Sequence, residues 1–236
     1  MVDAQGIQMN TKNEIKIKGA EKLVVSKKRV SDHGEVYTAS REVNAMLDLV
    51  KNETERIDSR FLEPACGTGN FLAEVLERKL EVVKSRYGKS QLEYERYAVL
   101  AVSSIYGIDI LLDNVEECRK RLLDIFSSHY TSLFKKACKD ECYKSVKFIL
   151  HCNVIRGDAL SLTEIGDENK PIVFSEWSSV NGDMIKRRDY TFHGLLQHEG
   201  MKELPMFSDL GENVFIPEPV KEYPLINFLR LADAEY

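Results

Sequence analysis

The stretch Arg60-Phe-Leu-Glu-Pro-Ala-Cys-Gly-Thr-Gly-Asn-Phe-Leu72 decides the fold of this 236-residue chain. Residues 60–63 hold a short apolar pair between polar residues, which suits a buried parallel strand. Pro64 ends that strand because proline donates no backbone hydrogen bond. Gly67 and Gly69 allow a tight turn and a close approach of a ligand to the backbone. A strand, a glycine turn and a helix in this order predict a ligand site at the helix N-terminus, above a parallel sheet.

The residues after the turn predict that helix. Apolar side chains stand at positions 71, 72, 75, 76 and 80, which is the spacing of one helical face. Two glycines alone are also typical of an ordinary turn between a strand and a helix. The turn lacks both the Gly-Lys-Ser/Thr pair and the Gly-x-Gly-x-x-Gly spacing of phosphate-binding loops, so a phosphate ligand is not indicated.

The run Glu63-Pro-Ala-Cys-Gly-Thr-Gly-Asn-Phe71 closely resembles the S-adenosylmethionine (SAM) loop of adenine-N6 DNA methyltransferases, especially those of restriction–modification systems. The resemblance implies an α/β protein with a Rossmann-like class I SAM-dependent methyltransferase fold, and SAM as its cofactor. It also implies that the loop residues contact the cofactor, namely Glu63, Ala65, Cys66, Gly67, Thr68, Gly69, Asn70 and Phe71.

A second segment, Gly34-Glu-Val-Tyr-Thr38, is similar to the other SAM-contacting segment of the same family. The similarity implies that Tyr37 and Thr38 hold the methionine end of the cofactor, although Ala39 stands where the family usually has proline. The residues themselves also allow a simpler interpretation. Ser40 can cap a helix with apolar residues at i, i+3, i+4 and i+7, and capping alone would explain Thr38 and Ser40.

Residues 91–103 predict a helix that leads into a second buried strand at residues 105–108. Asp109 follows that strand, where an acidic side chain accepts hydrogen bonds from ribose hydroxyls in doubly wound folds. The resemblance extends the cofactor site to Ile110. A turn or cap residue is the alternative role for Asp109. Asp113 and Glu116 then predict a capping box at the start of the next helix.

Residues 152–160 predict a third strand that ends in Gly157-Asp158. In the family that this sequence resembles, the corresponding aspartate accepts a hydrogen bond from the exocyclic amine of the cofactor's adenine. The resemblance therefore implies that Asp158 and Ala159 contact the adenine. A plain Gly-Asp turn is the alternative.

The catalytic motif of the family, Asn/Asp-Pro-Pro-Tyr/Phe, is absent, because none of the six prolines is adjacent to another. Residues 171–177 could form a fourth strand, with Ser175, Glu176 and Trp177 near the active position. Trp177 could stack on a flipped base there, but an anionic Glu176 does not suit this role, and a packing tryptophan is the preferred interpretation. No residue of this chain is assigned a catalytic role.

A missing catalytic strand would leave an apolar sheet edge open, which folded proteins avoid. In some relatives that this sequence resembles, the SAM-binding part and the Asn-Pro-Pro-Tyr part are separate polypeptides. The resemblance thus predicts the SAM-binding subunit of a split adenine-N6 DNA methyltransferase. A second polypeptide would supply catalysis and target recognition, and DNA would be contacted through the complex. The alternatives are a non-catalytic SAM-binding or structural accessory module, and a small-molecule methyltransferase that closes its own sheet.

We expect three regions: a basic arm at 1–28, the SAM-binding domain at 29–170 and an irregular C-terminal extension at 171–236. The extension is expected to hold one more strand and a tail that docks on a surface, with apolar anchors that include Phe215, Ile216 and Phe228. Residues 1–30 carry a charge balance of +4 and residues 199–236 a balance of −5. The basic run 186–188 is interpreted as a solvated turn.

Composition excludes several classes of protein. No apolar run reaches the roughly 20 residues of a membrane span, and the N-terminus does not resemble a signal peptide. The five cysteines follow neither a disulfide nor a metal-ligand pattern, so we expect reduced thiols in a cytoplasmic protein without a metal site. The net charge of −5 argues against a surface that binds nucleic acid over its whole extent.

Overall fold

The computed structural model describes residues 38–202 and 217–233, together with Arg29. The chain divides into two compact units, residues 1–39 and residues 40–236. The expected basic arm at 1–28 and the segment 34–37, which includes Tyr37, lie outside the described residues. Thr38 belongs to the first unit, and the sheets belong to the second.

In the second unit, two α-helices precede each of the first three strands, and four further strands follow the third directly. The helices are α1 (Ser40–Asp48), α2 (Lys51–Thr54), α3 (Asn70–Tyr87), α4 (Gln91–Ser103), α5 (Leu112–Phe134), α6 (Asp140–Asn153) and α7 (Phe192–Lys202). The strands are β1 (Phe61–Glu63), β2 (Ile105–Asp109), β3 (Val154–Asp158), β4 (Thr163–Glu164), β5 (Asp167–Pro171), β6 (Val173–Asn181), β7 (Met184–Thr191), β8 (Lys221–Glu222) and β9 (Ile226–Asn227). Short 3₁₀ helices cover Lys135–Ala137 and Phe228–Asp233.

The first sheet has the strand order β1-β2-β3-β4-β5. Strands β1, β2 and β3 are parallel, with Phe61 opposite Ile105 and Gly107 opposite Val154. Strands β4 and β5 continue the sheet beyond β3 in antiparallel orientation. The chain is therefore an α/β protein with a mixed sheet, as expected at the level of fold class. Among the described residues, β1 pairs only with β2.

The helices predicted from periodicity are present. Helix α1, however, begins at Ser40 itself, and Val50 of its predicted apolar face lies beyond its end and is exposed. Helix α4 has the predicted bounds, and the Ser90 side chain caps it by accepting a hydrogen bond from the Glu93 N–H. Helix α3 begins at Asn70 as predicted and continues past Leu80 to Tyr87. On its predicted apolar face, Leu72, Val75, Leu76 and Leu80 are at most 1% exposed, and Phe71 is half-buried. The apolar spacing was therefore a correct guide to these elements.

The predicted capping box at Asp113 and Glu116 is wrong. Helix α5 begins at Leu112, its N-cap position is Leu111, and Asp113 lies inside its first turn. The Asp109 carboxylate accepts the Leu111 N–H at 2.8 Å, so the acidic group that serves this helix start comes from the preceding strand. A side chain that ends β2 thus accepts the N-cap N–H, which is the role that the capping box assigned to Glu116.

The two faces of β2 contribute to different hydrophobic clusters. Ile105 belongs to the main core, which it shares with residues of α3 to α6. Tyr106 and Ile108 point into a second cluster with Ile172, Phe174 and Phe192. The second cluster joins the parallel strands to residues that follow β5, so the chain after residue 170 covers one face of the sheet.

Residues 173–177 of the predicted segment 171–177 do form a strand, but it is not a fourth strand of the parallel sheet. Strand β6 pairs with β7 in an antiparallel hairpin, and β8 and β9 also pair with β7 in this second sheet. The physical reason is the turn between Asn181 and Met184, where Gly182 has a φ of 55° that glycine adopts without strain. That turn returns the chain alongside β6 and supplies its partner locally.

The solvated turn expected at residues 186–188 is instead part of β7. Arg187 is buried, and its guanidinium forms two hydrogen bonds with the Asp189 carboxylate at 2.9 and 3.0 Å. The guanidinium carbon also lies 4.1 Å from the centre of the Tyr223 ring. Ion pairing and aromatic stacking therefore allow a charged residue to face inward, which its sequence neighbourhood did not indicate.

Residues 217–233 pack on the chain itself. Phe228 and Leu231 are fully buried in the main core, and the Leu231 N–H donates to Ser145 Oγ of α6. The expected anchors Phe215 and Ile216 lie outside the described residues. All five cysteines are free, as expected from their spacing.

A buried lysine fixes the segment of chain that leads into β1. Lys79 of α3 is fully buried, and its Nζ donates to the carbonyl oxygens of Arg56, Ile57 and Ser59 at 3.0, 3.1 and 2.5 Å. Ser104 Oγ, just before β2, lies 2.8 Å from the same nitrogen, so the three N–H groups of Lys79 are shared among four oxygen atoms. Burial lowers the pKa of Lys79 to about 7, and the surrounding oxygens offset part of the cost of burying the ammonium.

We predict that Lys79→Met destabilises the fold by about 2–4 kcal/mol, because three buried carbonyl groups lose their donor. The measurement is the free energy of unfolding in urea. Lys84→Met is the matched control on the same helix; its exposed pair with Glu81 predicts a change below about 0.5 kcal/mol. Equal effects of the two substitutions would contradict this role for Lys79.

Candidate functional site

The glycine loop folds back onto the carboxyl end of β2. The Cys66 N–H donates to the carbonyl of Ile108 at 2.9 Å, and the Gly69 N–H donates to the carbonyl of Cys66 at 2.8 Å. Gly67 and Gly69 have φ values of 52° and 84°, in the left-handed region that favours glycine. Gly69 is also the N-cap residue of α3, so the loop ends where the helix begins.

Close packing beneath the loop requires two glycines. A Cβ on Gly69 would lie 2.7 Å from Cys118 Sγ of α5, and a Cβ on Gly107 would lie 3.0 Å from Cys66 Sγ. Both distances are shorter than normal carbon–sulfur contacts. The loop, β2 and α5 can therefore pack this closely only because Gly69 and Gly107 have no side chain.

Asp109 connects the loop to β2 and α5. Its Oδ2 accepts the Gly67 N–H at 2.9 Å, and its Oδ1 accepts the Leu111 N–H at 2.8 Å and the Asn114 side-chain amide at 3.2 Å. A carboxylate has about four acceptor positions. Three are used inside the protein, so the group can still accept a hydrogen bond from a ligand while it holds the loop.

Asp158 ends β3 in a turn of its own. Its Oδ1 accepts the Leu160 N–H at 2.8 Å, and its backbone carbonyl accepts the Leu162 N–H at the same distance. Its other carboxylate oxygen has no hydrogen-bond partner in the described part of the chain and is free to accept one. Leu160 beside it is 95% exposed, and Ala159 packs at the margin of the second cluster.

Glu63 and Asn70 flank the loop. Glu63 Oε1 accepts the Ala65 N–H at 3.3 Å, a weak contact that leaves most of the carboxylate's capacity unused. Asn70 Oδ1 accepts from Arg121 Nη1 of α5 at 2.5 Å, which joins the start of α3 to the middle of α5. Phe71 packs against the main core rather than standing free.

Most of the predicted site residues lie at one edge of the sheet. Because β1, β2 and β3 are parallel neighbours, Glu63, Asp109 and Asp158 all lie at the carboxyl ends of adjacent strands. Ala65 and Ile110 are exposed, and Thr68 is half-buried. Tyr37 is outside the described residues, and Thr38 belongs to the other compact unit.

Three residues of α5 that the sequence did not indicate also support the site: Asn114, Cys118 and Arg121. They support Asp109, Gly69 and Asn70 respectively. Asn114 could have been found, because it is a buried amide in the first turn of the helix that follows Asp109. No local signal identifies the other two, since each lies far along the chain from the residue that it contacts.

Cys66 is a packing thiol rather than a nucleophile. A hydrogen bond with the Cys118 thiol, followed in importance by burial, raises the pKa of Cys66 far above its ordinary value. A thiol that stays protonated at neutral pH is a poor nucleophile. Cys66 thus contributes shape to the loop, with 6% of its surface exposed.

Ser175, Glu176 and Trp177 are committed to other contacts. Trp177 is 5% exposed and donates from Nε1 to Asn153 Oδ1, while Ser175 Oγ donates to Asp189. Glu176 pairs with Arg60 at 2.5 Å and with Arg188 at 3.5 Å. The packing role preferred for Trp177 is confirmed. The alternative interpretation, that Trp177 stacks on a flipped base, is wrong because its ring is buried in the fold.

No group of three potential metal ligands is found in residues 38–202 and 217–233. Within the same ranges, no helix combines the length and apolar character needed to cross a membrane. Comparison of the chain with protein-family models, with curated proteins and with solved structures gave no match in any of the three. The site must therefore be interpreted from its own residues.

We predict that Gly69→Ala destabilises the protein by about 1–3 kcal/mol more than Gly166→Ala, because only the first new Cβ meets Cys118. Gly166 is a suitable control, since its φ of 98° is similarly left-handed and its Cβ position has no atom within 4 Å. Urea unfolding measures both effects. If the two variants lose the same stability, backbone strain alone accounts for the result and the close packing beneath the loop is refuted.

Proposed function

We propose that this chain is the SAM-binding subunit of a split adenine-N6 DNA methyltransferase of a restriction–modification or related defence system. A partner chain supplies the Asn-Pro-Pro-Tyr motif, and the complex transfers the methyl group of SAM to adenine in DNA. One observation carries the proposal. The glycine loop is hydrogen-bonded through Gly67 to Asp109, at the edge of the sheet where Asp158 also ends its strand. This arrangement is compatible with a Rossmann-like methyltransferase fold.

The side chains at this edge suit the polar groups of SAM. Asp109 retains an acceptor position for a ribose hydroxyl, and Asp158 retains a carboxylate oxygen for the exocyclic amine of adenine. Glu63 can accept from the ammonium group of the methionine moiety. When bound, SAM supplies an electrophilic methyl group on its sulfonium. The residues of this chain bind and orient the cofactor.

The charge at this edge favours SAM over a phosphate-bearing ligand. Three carboxylates, those of Glu63, Asp109 and Asp158, follow neighbouring strands, and none of them forms an ion pair within the described residues. Negative potential at a site attracts the sulfonium and ammonium groups of SAM and repels phosphates. The ligand class that the loop sequence suggests therefore agrees with the electrostatics of its surroundings.

The free edge of β1 supports a partner chain. Among the described residues, no strand pairs with β1 on the side away from β2, and Leu62 on this strand is 41% exposed. The sequence suggested the segment of β6 as a further strand of this sheet, but β6 belongs to the second sheet instead. An additional strand from a second polypeptide would satisfy the outward backbone groups of β1 and cover Leu62.

A non-catalytic SAM-binding module is the second candidate. It agrees with the burial of Ser175 and Trp177 and with the ion pairs of Glu176, which leave no base-stacking side chain on this strand of the chain. The two candidates differ in one experiment. Methyl transfer from radiolabelled SAM to adenine in DNA should appear when the chain is combined with a partner that carries Asn-Pro-Pro-Tyr, for which the product of the neighbouring gene is the first to test. Transfer that fails with a SAM-loaded complex would favour the non-catalytic module.

We predict that Asp109→Ala weakens SAM binding about tenfold to a hundredfold, because a charged acceptor of the ribose hydroxyl is lost. Isothermal titration calorimetry on the full chain measures the affinity. Asp124→Asn on the exposed face of α5 is the control, since its ion pair with Lys120 is at the surface, and the substitution should change the affinity less than about twofold.

Asp109 also holds the loop, so a second variant separates binding from folding. Asp158→Asn keeps the shape of the turn but cannot accept from both Leu160 and the adenine amine. It should weaken SAM binding while the free energy of unfolding stays within about 0.5 kcal/mol of the wild type. Unchanged affinity in both aspartate variants would refute the assignment of this edge as the cofactor site.

A further inference from the structure

A groove of about 600 Å³ lies between α5 and α6, on the outer surface of the helices. Its floor is apolar and includes Leu123 and Phe148, and Ala232 of the C-terminal 3₁₀ helix forms one side. None of the loop residues, Asp109 or Asp158 lines it. The groove is therefore separate from the proposed cofactor site.

The rim of the groove is basic in a chain whose net charge is −5. Four cationic side chains, Arg119, Lys120, Lys144 and Lys147, line it, and Glu116 is the one acidic residue among its lining residues. His151 is also present, but burial and the nearby Arg119 lower its pKa, so the ring is neutral near neutral pH. The local charge is thus opposite in sign to that of the whole chain.

Two of the four cations are available to a ligand. Arg119 donates to the carbonyl oxygens of His151 and Val154, and Lys120 pairs with Asp124 at 3.3 Å. Lys144 and Lys147 form no ion pair with any described residue, and both are exposed on the same side of α6, one turn apart. They could therefore pair with acidic groups without breaking an existing contact.

We propose that this groove binds an acidic amphipathic segment of a partner protein, with apolar side chains on the floor and carboxylates at Lys144 and Lys147. The apolar floor decides between classes of partner. A nucleic-acid backbone could pair with the lysines but would gain nothing from Leu123 and Phe148. A helix with apolar residues on one face and acidic residues beside them matches both features.

The test uses a fluorescein-labelled peptide of about 14 residues, with Leu or Phe at i, i+3, i+4 and i+7 and Glu elsewhere, and follows its anisotropy on addition of the full chain. A peptide with Lys in place of every Glu reports on apolar contact alone. A DNA duplex of about 20 base pairs reports on phosphate binding. We expect the acidic peptide to bind and both of the other probes to bind at least about tenfold more weakly.

Matched variants locate the binding. Lys144→Glu combined with Lys147→Glu should weaken peptide binding about tenfold or more, because two attractive contacts become repulsive. Lys89→Glu combined with Lys136→Glu makes the same charge change at exposed positions that do not line the groove, and should alter binding less than about twofold. Ala232→Trp should weaken binding by filling the groove, without introducing a charge.

Absence of acidic-peptide binding would overturn the proposal, and duplex binding that depends on Lys144 and Lys147 would then identify nucleic acid as the ligand. Equal peptide binding by the groove and control variants would also overturn it. Self-association of the chain that is lost in the groove variant, without peptide binding, would identify a second copy as the occupant instead. SAM affinity should be the same in all of these variants, so failure here is distinguishable from failure of the proposed function.

Discussion

The hydrogen bond from the Gly67 N–H to the Asp109 carboxylate holds the glycine loop against the second strand of the sheet, and much of the site geometry depends on it. The same carboxylate accepts the Leu111 N–H at the start of α5, so one side chain fixes the loop, the end of β2 and the beginning of a helix. An acidic residue at a strand end can thus organise the fold and still keep an acceptor position for a ligand. In the proposed function, Asp109 would therefore combine a structural role with a binding role.

Strand β1 is only three residues long and pairs with one neighbour among the described residues, so its position depends on contacts at both of its ends. At its start, the buried Lys79 joins the preceding backbone to the residue before β2. At its end, the Cys66 N–H donates to Ile108 and fixes the loop to β2. Helix α3 carries Lys79 in its middle and begins at the loop. This helix therefore fixes the position of β1 at both ends of the strand.

The parts of the structure that could be predicted from the sequence are those with local causes. The apolar spacing of α3 and α4 and the positions of Asp109 and Asp158 after their strands needed no information from distant residues. The errors have distant causes. Asp113 does not cap α5 because Asp109 serves that helix start, and Arg187 faces inward because Asp189 and Tyr223 surround its guanidinium. Of the candidate site, the sequence indicated the residues at the strand ends but not Cys118 and Arg121, whose contacts exist only after α5 packs against the loop.

Binding of SAM at the carboxyl edge of β1, β2 and β3 can be followed through the backbone amide NMR signals of the labelled chain during titration with SAM. We expect shifts to concentrate at Gly67, Gly69, Asp109 and Asp158, because the loop and both strand ends would contact the cofactor in the proposed complex, while Lys144 and Lys147 in the groove stay unchanged. Saturating SAM that leaves the loop and strand-end signals unmoved, or that moves only signals elsewhere, would contradict it.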